Sequence, residues 1–133
     1  MSDITDILQL PGAELESIEQ DDATITLHFS LLHIVREMEN AFEDSLWTQA
    51  GRLVIRYTGI SGDTPGCPCH IAGGDLVNNI YTYRDHAPLP IDWRGSISCT
   101  LLIEGDQPPV TIEGSAMQLE RIEHPRYIRH VRK

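Results

Sequence analysis

The chain lacks any apolar run near the ~20 residues that a membrane-spanning helix needs. Its start, Met1-Ser-Asp-Ile-Thr-Asp6, has neither the basic residues nor the apolar stretch of a secretory leader, so a cytoplasmic location with no membrane partner is expected. Positive charge is scarce: 10 Lys and Arg face 20 Asp and Glu, for a net charge of −10. Phosphate contacts need clustered basic residues, so nucleic acid is not expected as a partner. Only three cysteines are present, too few for a secreted disulfide framework. There is no Gly-x-Gly-x-x-Gly, no phosphate loop and no Gly-x-Ser-x-Gly elbow. The six histidines, at 28, 33, 70, 86, 124 and 130, show no close helical pairing. No internal repeat and no sustained helix–strand alternation can be found.

What is present suits one domain spanning residues 1–133. Hydrophobic residues make up 41% and charged residues 23%, which excludes global disorder. Charge is unevenly placed. Residues 121–133 hold Arg121, Arg126, Arg129, Arg132 and Lys133 against Glu123 alone, a balance of +4, which leaves −14 for the rest. This C-terminal segment reads as a basic tail. Tyr127, Ile128 and Val131 give it apolar area with which to dock on an acidic surface of this chain or a second copy.

Strand patterning is clearest late in the chain. Ile97, Cys99, Leu101 and Ile103 share one side of an extended segment, because successive strand side chains point to opposite faces. Gly105-Asp-Gln-Pro-Pro109 supplies a turn, and Val110 and Ile112 resume the alternation, which together predict a hairpin. A further strand follows from Ser115. Ile25, Leu27, Phe29 and Leu31 alternate with Thr24, Thr26, His28 and Ser30 in the same way. Leu53–Tyr57 and Leu76–Arg84 read as strands, the latter bent at Asn78-Asn79. Pro88 and Pro90 exclude an interior strand over 87–95.

Other stretches are less decided. Ile4, Ile7 and Leu8 have helical spacing that Pro11-Gly12 would end. Val35, Met38, Phe42 and Leu46 fit one helix face, so a short helix near 35–47 competes with a strand and an acidic loop. Thr58–Gly74, rich in Gly, Pro and Cys, reads as a long loop. The fold expected is all-β: an antiparallel β-sandwich or flattened barrel.

Trp47-Thr-Gln-Ala-Gly-Arg-Leu-Val-Ile-Arg56, Gly74-Asp-Leu76, Pro88-Leu-Pro-Ile-Asp92, Val110-Thr-Ile-Glu-Gly114 and Glu120 resemble, in that order, a family of small bacterial all-β proteins of unassigned function. The resemblance spans about two thirds of the chain. It implies a β fold and assigns no residue a role.

Two stretches carry chemistry. Cys67-Pro-Cys-His70 offers three zinc-type ligands, with His86 the nearest fourth. One residue between the cysteines is tighter than the spacing of about two to four that zinc knuckles use. As a dithiol, Cys67 and Cys69 would instead close a small disulfide ring, and two plain surface thiols are the simplest alternative. Tyr81, Tyr83, Arg84, Asp85, His86 and Trp93, with Asp92 and Arg94, gather aromatic, acid and base groups. They suit a small-ligand or carbohydrate site, or an acid–base pair. Asp85 and His86 are adjacent, so a straight strand would point them apart.

No catalytic set and no cofactor emerges from these residues. The expected function is non-enzymatic: a binding or adaptor module acting through a protein surface, with a protein partner or self-association as a homo-oligomer. The alternatives are a ligand binder or enzyme at 75–94, and a metal or redox site at Cys67 and Cys69.

Overall fold

The structure, a computed structural model, describes residues 4–38 and 42–132. Eight strands follow in order: β1 (Ile4–Gln20), β2 (Thr24–Met38), β3 (Glu43–Ser61), β4 (Cys69–Asn78), β5 (Tyr81–Arg84), β6 (His86–Pro88), β7 (Asp92–Ile103) and β8 (Val110–Arg132). All pair antiparallel, in the order β5-β4-β7-β8-β3-β2-β1-β6. A further pairing of β4 with β1 closes a ring of hydrogen bonds, so the sheet wraps on itself as a flattened barrel. Within the ring, closure pairs strand edges that would otherwise be exposed.

The core follows the period-two pattern. Ile25, Leu27, Phe29, Ile97, Cys99, Leu101, Ile103, Val110 and Ile112 are all buried, together with Leu8, Leu10, Leu15, Leu53, Ile55, Ile71, Leu76 and Met117. Leu31 departs from the pattern. The β2–β3 register shifts between Phe29 and Leu32, so Leu32 takes the inward place and Leu31 is only half-buried.

Five segments differ from the sequence reading. The helical spacing over 3–10 gives no helix among its described residues: β1 starts at Ile4, and Leu8 and Leu10 point inward, while position 3 lies outside the described residues. Pro11-Gly12 does not end the element. Gly12 has φ +87°, and the pairing with β2 skips from Gln9 to Glu14, so the strand bulges and continues. The helix near 35–47 is absent among the described residues; its positions 39–41 lie outside them. Val35 faces Leu46, and Ile34 faces Trp47, across the β2–β3 pair, while Phe42 is 96% exposed. Cross-strand pairing overrides the helical spacing there. The expected loop over 58–74 shrinks to residues 62–68, because β3 runs to Ser61 and β4 starts at Cys69. Leu76–Arg84 is two strands, not one: Asn79, at φ 57°, turns the chain from β4 into β5. Pro88 sits in the short outer strand β6, but Asp92–Arg94 already belong to β7 and pair with β8.

Beyond the ring, the β1–β2–β3–β8 wall continues as a curled extension built from residues 4–9, 32–38, 43–49 and 121–132. The basic segment 121–132 is thus the second half of β8, held along β3 by backbone pairing. Among the described residues no helix is long and apolar enough to cross a membrane.

Candidate functional site

The 81–88 segment stitches the ring. β4 offers one edge first to β1, at Cys69 and His70, and then to β5, at Asp75–Asn78. Asp85 lies between the two. Its N–H donates to Gly74 O (2.7 Å), its carbonyl accepts from Leu10 N (2.8 Å), and its Oδ1 accepts from Gly74 N (2.9 Å). This double grip holds Asp85 at φ 63°, a conformation Asp tolerates better than most residues. β6 then pairs with β1 at Ile7–Gln9. Arg84 turns outward to Asp75 (3.3 Å), and His86 Nδ1 lies 3.4 Å from Arg84 O. Asp85 and His86 therefore serve the seam, each with its own partner.

Tyr81, Tyr83 and Trp93 come together. The Tyr81 and Tyr83 rings are 6.5 Å apart at 28°, and Tyr83 and Trp93 are 5.5 Å apart at 25°. β5 and β7 flank β4, which brings Tyr83 and Trp93 to one end of the barrel, where both pack on the core. Near-parallel rings at such spacing are favourable contacts. Tyr81 remains 63% exposed.

Of the Cys67-Pro-Cys-His70 residues, the two cysteines stay neighbours while His70 turns to another partner. Cys67 is exposed and its thiol points to Pro65 O (3.7 Å). Cys69 is buried at the start of β4, and burial, reinforced by neighbouring Cys67, pushes its thiol up to about 11. Such a thiol is a poor nucleophile at neutral pH. The next residue along a strand faces the other way, and His70 Nε2 lies 3.3 Å from Glu14 Oε1. Among the described residues no three His, Cys, Asp or Glu side chains gather as metal ligands would. Cys99 is enclosed in the core, where burial pushes its thiol up to about 12.

The sequence reading missed a polar network on the extension. The β1–β2–β3 register aligns Asp6, Arg36 and Ser45, and Ile34 aligns with Trp47 and Tyr127 one step away. Arg36 donates from Nε to Asp6 Oδ1 (2.8 Å) and from Nη2 to Oδ2 (3.1 Å). Arg121 donates to the same carboxylate (2.9 Å) and, from Nε, to Gln49 Oε1 (2.8 Å); Gln49 donates to Glu123 O (2.7 Å). The Arg36 guanidinium also lies 5.1 Å from the centre of the Trp47 ring, and Trp47 meets Tyr127 edge-on at 5.4 Å. These contacts join residues 30 and 115 positions apart, so no local motif announces them.

Arg36 above all, with Arg121, holds the Asp6 carboxyl below its ordinary value of 3.8 despite its partial burial. A depressed carboxyl stabilises the fold fully above its unfolded-state value and loses that contribution as pH falls through its folded-state value. Asp6→Asn is expected to cost about 2 kcal/mol at pH 7, because it strands two guanidinium groups. Urea titrations should show this gap unchanged from pH 7 to pH 5 and shrinking below about pH 4. A pH-independent gap would assign the loss to packing alone.

Comparison with known proteins finds no matching family model, curated protein or solved structure.

Proposed function

We propose that this chain is a non-enzymatic binding module that takes an extended acidic segment of a protein partner as an added strand along β8. One observation carries this reading: β8 keeps a free strand edge in the stretch that carries the exposed apolar side chains Tyr127 and Ile128. Of the eight large hydrophobic side chains exposed among the described residues, Ile4, Met38, Tyr127 and Ile128 lie on the extension, and Phe42 directly precedes its β3 segment. β7 leaves β8 after Gln118, and Leu119 N bonds Ile91 O. No described strand pairs with the outer edge of β8 beyond that point. Exposed edges template pairing with another chain. Arg126 and Arg129 belong to the strand that bears this edge, and Pro125 and the kink at Glu123 (φ 64°) confine regular pairing to residues 126–132. Like charge on two copies of this edge disfavours self-pairing and favours an acidic guest.

The test is a ten-residue peptide alternating Glu with Val or Ile. Binding should protect alternate amides of residues 126–132 from exchange, as strand addition requires. Replacing Arg126 and Arg129 with Ser should weaken binding several-fold and flatten its salt dependence. A peptide N-methylated along one edge, or carrying Lys for Glu, should not bind. Equal binding by either control, or no binding by the acidic peptide, would end this reading.

A second reading rests on Tyr81, Tyr83 and Trp93, whose near-parallel rings could stack on a sugar. Oligosaccharide titration monitored by Trp fluorescence, lost in Tyr81→Ala, would favour it.

A further inference from the structure

The outer wall of the ring carries a second feature, independent of the extension. Its register sets four outward-facing residues in a row across four strands. Thr24 opposes Arg56, Arg56 opposes Ala116, and Ala116 opposes Arg94. The next row reads Thr26, Val54, Gln118 and Asp92. The inward neighbours Ile25, Ile55 and Met117 are buried, which fixes the two rows on the solvent side. All residues of the two rows except Thr26 line a groove of about 340 Å³.

Neighbouring strands run about 4.8 Å apart, so the two arginines rise roughly 10 Å apart, with only the Ala116 methyl between them. Long side chains from that spacing can converge on one atom group above the alanine. Neither guanidinium forms an ion pair among the described residues. This occurs in a chain with twice as many acidic as basic residues. Arg52, also outward-facing on β3, pairs with Glu120 at 2.9 Å, and Arg84 pairs with Asp75 at 3.3 Å. Guanidinium forks match the oxygens of phosphate and carboxylate. Two forks facing one gap carry two charges, which suits a dianionic phosphate better than a single carboxylate. Asp92, one row away, repels a second anionic group and can accept from a hydroxyl, and Gln118 beside it can donate or accept.

We propose that this row binds the phosphate of a small phosphomonoester between Arg56 and Arg94, above Ala116, with Asp92 and Gln118 facing the ligand's hydroxyl groups.

Glycerol phosphate, inorganic phosphate and acetate serve as probes at constant ionic strength, followed by the Nε–Hε resonances of the arginines. Saturable one-to-one shifts at Arg56 and Arg94 are expected with glycerol phosphate. Inorganic phosphate should bind more weakly, and acetate at least tenfold more weakly. Arg56→Gln and Arg94→Gln should each cost tenfold or more, and Arg52→Gln nothing. Ala116→Glu should abolish binding by placing a carboxylate between the two arginines, with the backbone spectrum retained. That plug keeps the test decisive should an arginine variant unfold. Vesicles containing phosphatidic acid separate a headgroup from a free ligand: binding to vesicles without binding to glycerol phosphate would overturn the small-ligand assignment. Equal shifts at Arg52, or undiminished binding by the Ala116→Glu variant, would reduce the effect to non-specific screening and overturn the site.

Discussion

Replacing Leu101 with Ala should lower the free energy of unfolding by about 2–5 kcal/mol. The same change at Leu102, the next residue, should stay within about 0.5 kcal/mol. Leu101 is fully enclosed, between Gly74 of β4 and Val110 of β8, within the continuous apolar cluster. Its loss removes the transfer energy of the side chain and leaves a cavity that paired strands on both sides cannot easily close. Leu102 points outward and is 46% exposed. The pair therefore tests register: a one-residue slip would exchange the two results. Urea melts of both variants, with unchanged slopes to confirm two-state behaviour, give the measurement. Comparable losses at both positions would refute the placement of β7.

β7 was legible because every alternate residue from Ile97 to Ile103 is apolar and both neighbouring strands hold it in that register. The first half of β2 was legible for the same reason. The extension was not. Ile4, Ile7 and Leu8 carry helical spacing only by coincidence of a short window, and pairing with Val35 and Ile34, some thirty residues away, decides their conformation. Likewise Val35 and Leu46 look like residues about three turns apart on one helix face until the strands fold back and set them opposite each other. Of the site candidates, the aromatic proximity was partly readable: Tyr81 and Tyr83 share a strand face by parity, while Trp93 joins them only because β5 and β7 both flank β4. Adjacency in sequence misled at Asp85 and His86, whose neighbours are set by the seam. Nor could Arg56 and Arg94 be associated beforehand, since only the shared partner Ala116 brings them into one row.

Gly74→Ala should be the most damaging single-methyl addition in the seam, at about 3 kcal/mol. A Cβ at Gly74 would collide with the Thr100 carbonyl oxygen and stand 3.3 Å from a Leu10 methyl. The first contact is with backbone inside a paired strand, so relief requires moving β4 away from β7. That motion is opposed on the other side. Gly74 is held at its N–H and its carbonyl by Asp85, which in turn holds Leu10 of β1. Displacing Gly74 therefore strains the β4–β7 ladder and the β4–β1 closure together. Gly59→Ala provides the comparison, since a Cβ there meets nothing within 4 Å. It should be neutral or stabilise slightly by restricting the unfolded chain. Amide exchange should locate the damage: faster exchange at Leu10, Gly74 and Asp85 in the Gly74→Ala variant, with β3 and the early part of β8 close to wild type. If Gly74→Ala melts like Gly59→Ala, or its added exchange spreads evenly over the sheet, then Asp85 does not lock the closure of the ring at this point.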